Sequence, residues 1–268
     1  KTPRRQRQMC IRDRYMLVVN ASNIDKDWNW LSEQNKDFGA RLTNASADFA
    51  LLAVQGPKAH ALIQELSGID TAEQKGFTVV QTTLAGVPDV LVATTGYTGA
   101  GGVELYTPTA QATQLWEALL TSGEAYNIQP IGLAARDTLR LEMGYCLYGH
   151  ELTDSTSPIA ARLAWCTHFD KSIVGENYIK KDIIVGTAQL RVGFTMVDRG
   201  IPRQGYDLLD VNGNPIGEVT SGTSSPSLGV GIGMGYINRD FTKFNTEIFV
   251  RIREKNIKAR ITRLPFVL

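Results

Sequence analysis

Sulfur, imidazole and long apolar runs are all scarce in this chain, and each scarcity closes a class of function. Its 268 residues include three cysteines, Cys10, Cys146 and Cys166, an odd number in no C-x-x-C spacing. That argues against a disulfide framework or a zinc cluster and fits reduced thiols in the cytosol. The three histidines, His60, His150 and His168, are scattered without ligand spacing, so no metal site is expected. No stretch of 18 apolar residues occurs, and no membrane-spanning helix is expected. No signal-peptide pattern stands at the start, which makes a cytoplasmic location the expectation. GxxxxGK[ST], HExxH and GxSxG are all missing. GVGIGMG (229–235) has Gly-x-Gly spacing but never G-x-G-x-x-G, and it leads into a strand, so it does not read as a dinucleotide site.

What is there is ordinary globular material, 43% apolar and 21% charged, enough to bury one or two substantial cores. The first fourteen residues are out of character. Lys1, Arg4, Arg5, Arg7, Arg12 and Arg14 face only Asp13, a local charge of +5 in a chain that totals +1, so the remainder sums to −4. A basic arm on an acidic body can bind nucleic acid, and deleting residues 1–14 tests that by loss of salt-sensitive binding. The favoured reading is a non-native or disordered head, because KTPRRQRQMCIRDR has no periodicity that could pack.

From Tyr15 the chain becomes orderly. YMLVVNA reads as a strand, and SNIDKDWNWLSEQN opens a helix capped by Ser22 or Asn23, with Ile24, Trp28 and Leu31 as its apolar stripe. DFALLAVQGP (48–57) reads as a buried strand. Pro57 then starts a helix carrying Ala59, Leu62, Ile63 and Leu66, ended by Gly68. Strands are expected at 77–83 and 89–95, then the glycine-dense GYTGAGGVELY (96–106), then a helix over roughly 109–122.

Beyond Ile183 short alternating strands recur with polar turns: LRVGFTMV, YDLLD, IGEVT, GIGMGYI, TEIFVRIR and IKARITR. Such texture indicates a small antiparallel barrel or sandwich. SGTSSPSL (221–228) is serine-rich with no histidine nearby in sequence, and its turn chemistry favours a tight loop between barrel strands. The fold class is therefore α+β: mixed strand and helix lobes followed by a C-terminal antiparallel β-barrel. Three segments follow: a basic head (1–14), a mixed region (15–185) and the barrel (186–268).

The most informative stretch is PIGLAARDTLRLEMGYCLYGHE (130–151). It reads as a helix that sets Arg136 and Arg140 four residues apart on one face, in surroundings apolar enough to be largely inside. Such a pair calls for anions, whether side-chain carboxylates, a ligand or both. Glu104, in VELY, alternates with Val103 and Leu105 and shares a face with Tyr106. Gly96, Gly99, Gly101 and Gly102 before it permit turns of positive φ or close backbone approach. A carboxylate with Arg136 and the flat surfaces of Tyr145, Tyr148 and Trp165 suits a planar heterocycle with an amidine-like edge. A Glu104–Arg136 pair that merely ties strand to helix explains the composition equally well.

Six segments in order, RYMLVVNASN, LLAVQGP, TGYTGAGGVELY, PIGLAARDTLRLEMGYCLYGHE, GEVTSGTSSPSLG and LPFV, resemble the T-protein of the glycine cleavage system, the tetrahydrofolate-dependent aminomethyltransferase. The likeness covers residues 15–268. It implies three lobes around a folate channel, a lipoylated H-protein as partner and tetrahydrofolate as substrate, with neither metal, nucleic acid nor membrane involved. The implied reaction passes the methylene of the H-protein's aminomethyl-lipoyl arm to tetrahydrofolate and releases ammonia. It also implies that Glu104 grips the pterin, that Arg136 lines the folate site, and that Val18 and Asn20 present a strand edge. Tyr97, Tyr145 and Trp165 come over as contacts or supporting surface.

Departures from the pattern carry their own expectations. The family's GG-x-x-DDL-like segment, with an aspartate taken to orient the folate, has no counterpart before Tyr15, and Asp13 lies too close to substitute. No catalytic residue is therefore assigned within the chain; truncation at the front, residual folate affinity and little turnover are expected. PIAARLAW (158–165) stands where the family resembles PLEAGLGW, so Ala160, Arg162 and Ala164 replace a carboxylate and two glycines. Ala100-Gly101 replaces a common Glu-Asp. The competing reading is a folate-binding relative of the same fold, a demethylase or tRNA-modification accessory protein. That branch carries a KGCYxGQE-like cysteine loop, whereas this chain has GYTGAGG.

Overall fold

The chain enters, in the computed structural model, through an antiparallel hairpin of strands β1 (Arg7–Ile11) and β2 (Arg14–Val18). Residues 7–11 and 14–267 are described, so much of the basic head lies outside the described residues. By packing, the chain parts into two units between Pro130 and Ile131.

In the first unit, β2 ends at Val18, shorter than the expected strand, because Asn20 already accepts the Asn23 N–H (2.9 Å) in a 3-10 turn. Helix α1 (Ile24–Gln34) follows with Asn23 at its N-cap, although no side-chain cap bond forms. Ile24, Trp28 and Leu31 are half-buried. Strands β3 (Phe49–Gln55), β4 (Val79–Leu84), β5 (Val87–Ala93) and β6 (Gly102–Pro108) make an antiparallel sheet in the order β3-β6-β5-β4. Two further expectations need correction. β3 is an edge strand, half-exposed rather than buried: Phe49 and Leu51 face out while Leu52 and Val54 face the core. β5 starts two residues early, because Ala85 (φ 51°) and Gly86 (φ 78°) close a two-residue turn of the type that matches strand twist.

One sheet face packs against α2 (Ala59–Ser67) and α3 (Ala112–Gly123), through Val54, Leu62, Ile63, Val103, Leu105 and Leu115. Gly68 ends α2 in the left-handed conformation, as its sequence position predicts. The opposite face carries Leu91, Ala93 and Tyr106, against which Met16 and Val18 of β2 pack.

In the second unit, helices α4 (Leu133–Glu142) and α5 (Glu176–Val185) accompany a closed barrel ordered β10-β7-β12-β11-β8-β9. Its strands are β7 (Gln189–Met196), β8 (Asp207–Leu209), β9 (Pro215–Ser224), β10 (Gly231–Asn238), β11 (Glu247–Ile252) and β12 (Lys255–Thr262). Alternation put five of these strands in place to within one or two residues, while β9 runs four residues past the expected IGEVT. Helix α5 had no sequence expectation. The Gly-x-Gly spacing of β10 is a packing device: a Cβ on Gly233 would stand 2.4 Å from the Phe194 ring, and one on Gly235 2.4 Å from Glu218 O. Leu141 of α4 joins Ile232 and Met234 in a small core that seats the helix on the barrel. No helix among the described residues is long and apolar enough to cross a membrane.

Candidate functional site

Glu104 is only 3% exposed, near the middle of the central strand β6. Its register partners are Ala53 of β3 and Ala93 of β5, two small residues. Alternation is as the sequence predicts: Val103 and Leu105 enter the helix-facing core, and Tyr106 shares the other face with Glu104. Thr95 Oγ1 donates to Glu104 Oε2, fixing the carboxylate's orientation. A buried carboxylate needs such donors, since transfer out of water without them is costly.

The glycine-rich loop is held by two side chains. Gln55 Nε2 donates to Val103 O (2.9 Å) and Thr95 O (3.3 Å), while its Oε1 accepts from Thr98 Oγ1 (3.1 Å). The Gly102 N–H donates to His60 Nε2 (3.1 Å), so that nitrogen is unprotonated and Nδ1–H is the one given to Thr71 Oγ1 (2.9 Å). Gly102 combines φ 121° with a position where a Cβ would lie 2.3 Å from Val54 O; only glycine fits. Val18 packs over the Glu104 face, Tyr97 is buried, and Asn20 is exposed just past the end of β2. The unit thus gathers Val18, Glu104 and the glycine loop. Gln55, His60, Thr71 and Thr95 have no sequence signature of their own, because each meets its partners only once the chain has folded.

In the other unit, α4 separates the arginine pair by environment. Arg136 is half-buried near the helix start, and the residues preceding it (Ile131, Leu133) are exposed, so the expectation of a segment largely inside holds only from Arg136 onward. Arg140 is fully buried and the anions it calls for are protein carboxylates. Its Nη1 donates to Glu151 Oε2 (2.9 Å), its Nε to Asp137 Oδ1 (2.7 Å), and its Nη2 to Ser221 Oγ (2.8 Å). Glu151 also accepts from the Leu147 N–H (3.0 Å) and Thr220 Oγ1 (2.5 Å). Arg140 therefore ties α4 to the segment after it and to β9.

Past the helix, Gly144 (φ 65°) turns the chain, with Tyr145 N–H donating to Arg140 O (2.9 Å) and Gly144 N–H to Leu141 O (2.7 Å). Tyr145 and Tyr148 are half-buried, the latter donating to Asp154 Oδ1 (2.5 Å), and Trp165 is exposed in a 3-10 turn (Ala164–Cys166). Burial pushes the Cys146 thiol up to about 11, against the pull of Arg191 and Arg140. Burial likewise raises the Tyr236 phenol.

The serine-rich segment holds one surprise. Residues 221–224 belong to β9, only the rest being a loop, and folding brings His150 Nδ1 within 3.4 Å of Ser221 Oγ. The pair is not a nucleophile and its base. His150 Nδ1 lies 3.0 Å from Thr220 O, which can only accept, so that nitrogen carries a proton and cannot take the serine's. Glu142 claims the loop instead, accepting from Ser225 Oγ (2.5 Å) and Ser227 Oγ (3.0 Å). No group of three His, Cys, Asp or Glu side chains suited to a metal occurs among the described residues.

Comparison with known proteins gives the same family from three directions. The GCVT N-terminal domain model matches residues 9–171, and the glycine cleavage T-protein C-terminal barrel model matches residues 190–267. An aminomethyltransferase of Flavobacterium psychrophilum is 48% identical over 252 residues, covering 94% of this chain and 70% of that protein. One from Bacteroides fragilis is 48% identical over 256 residues, covering 95% and 71%. The crystal structure of glycine cleavage system aminomethyltransferase T from Bartonella henselae superposes with a TM-score of 0.84 at 34% identity, over 94% of this chain and 68% of that one. The chain belongs to the glycine cleavage T-protein family of aminomethyltransferases.

Proposed function

We propose that the chain serves the glycine cleavage reaction by binding tetrahydrofolate as substrate, with Glu104 gripping the pterin and Arg136 a folate contact. The observation that carries this is Glu104 itself: a buried carboxylate, oriented by Thr95, beside a loop that only glycine can form. A carboxylate accepts through both oxygens and so matches the paired N–H donors on a pterin's amidine-like edge. Val18, Asn20 and Tyr97 supply surface in the unit that holds Glu104; Tyr145 and Trp165 are the aromatic residues proposed as further contacts.

The second substrate is the aminomethyl-lipoyl arm of the H-protein partner, which delivers the carbon and releases ammonia. Folate supplies the nucleophilic ring nitrogen. The chain's residues orient, exclude water and place negative charge near a developing cation, work that needs neither triad nor metal. A cytoplasmic setting for that partnership agrees with Cys146 and Cys166 being free thiols.

Calorimetric titration with tetrahydrofolate tests the binding role. Glu104→Gln is expected to weaken affinity about 10- to 100-fold, the worth of a charge-assisted hydrogen bond. Unchanged affinity in a folded variant rejects the assignment. Turnover is expected to be low for a polypeptide of these 268 residues alone, which hold no GG-x-x-DDL-like segment, and to rise when a family-like segment is fused ahead of them.

A further inference from the structure

We propose that Arg191 and Arg162 form a binding site for a small oxyanion, a carboxylate or phosphate group. Arg191, on β7, is 7% exposed, yet none of its hydrogen-bond partners is an anion. Its Nε donates to Ala161 O (2.9 Å), and its Nη1 to Gly144 O (3.1 Å) and Met234 Sδ (3.1 Å). Nη2 makes no hydrogen bond among the described residues. Glu151, which with Arg191 acts on Cys146, is committed to Arg140, Leu147 N–H and Thr220.

The second cation comes from a turn pressed against the first. Arg191 N–H donates to Ala160 O (2.8 Å), so together with the Ala161 contact Arg191 grips the two residues that precede Arg162. Arg162 is exposed as a residue, which gives the pair an open side. Its guanidinium is held below the usual arginine range, first by desolvation and then by the Arg191 charge. Two neighbouring guanidiniums, one buried without a counter-charge, are unfavourable alone. An oxyanion meeting the Nη2 edge would supply charge-assisted hydrogen bonds and cancel the repulsion.

Thermal unfolding of the 268-residue protein tests the site, with sodium phosphate and sodium acetate added against sodium chloride at matched ionic strength. The expected result is a saturable rise in Tm, half-complete at about millimolar oxyanion, beyond any effect of chloride. A response to phosphate only marks a tetrahedral ligand; a response to acetate marks a carboxylate. Arg162→Gln should abolish the rise by removing one cation. Ala160→Glu should abolish it by supplying a carboxylate from the chain, and either variant suffices if the other does not fold. No oxyanion-specific rise, or a rise of equal size in the variants, overturns the proposal.

Discussion

Arg140 and Glu151 meet at 2.9 Å with both side chains wholly sealed from solvent. Their bond ties α4 to the segment that follows it, and Ser221 and Thr220 extend it into β9. Breaking one side of a buried pair leaves the other charge uncompensated, which costs far more than the pair contributes intact. Glu151→Ala is expected to lower unfolding free energy by about 3–5 kcal/mol in urea denaturation. Lys258→Ala, which removes the exposed ion pair to Glu247, should cost under about 1 kcal/mol. Equal effects for the two would refute the distinction.

Arg162 sits at φ 56° in a turn where Leu163 N–H donates to Pro158 O (2.7 Å) and Arg162 N–H to Ile159 O (3.0 Å). The same bonding pattern closes α4, and there glycine occupies the equivalent position as Gly144. A left-handed conformation costs a side-chain-bearing residue about 1 kcal/mol. Arg162→Gly should therefore raise stability by about 1 kcal/mol, measured in buffer free of phosphate and carboxylates. A loss of stability would show that the arginine side chain contributes more than its backbone strain.

Cys146 yields a pH prediction. Its thiol is raised to about 11 in the folded chain, from an ordinary value near 9.0. The unfolded chain therefore gives up this proton first. The associated stability is fully present below pH 9 and is lost as pH rises through about 11. Cys146→Ala should flatten the fall in stability between those limits, and wild-type Cys146 should alkylate slowly at pH 8 because little thiolate forms there. Rapid labelling at that site in native protein would contradict the burial argument.

Gly102→Ala probes the loop ahead of Glu104. The added methyl would meet Val54 O at 2.3 Å in a backbone conformation foreign to alanine. Strain and overpacking together should cost about 2–4 kcal/mol, read from the denaturation midpoint. A near-neutral result would mean that β6 can shift away from β3 without penalty.

The barrel was legible because its strands alternate, as Ile248 and Val250 do, and alternation survives any tertiary arrangement. The Glu104 face and the ending of α2 at Gly68 were legible for the same local reason. Edge position was not: nothing within DFALLAVQGP distinguishes a strand flanked on both sides from one flanked on one. Nor could spacing tell Arg136 from Arg140, since the buried partner Glu151 and the hydroxyl of Ser221 reach Arg140 only after the chain has folded. The supports of the glycine loop, Gln55 and His60, were invisible because they act on carbonyls and amides rather than on one another.

Glu142 closes α4 with a double duty. Its carboxylate fastens Ser225 and Ser227 of the barrel's serine loop, while its carbonyl receives the Phe266 N–H (2.8 Å) near the chain's end. The helix bearing Arg136 is thereby moored at its far end to two distant stretches of polypeptide. The barrel is then a foundation and not an appendage: trimming the last few residues, or altering Ser225 or Ser227, should loosen the footing on which that arginine stands.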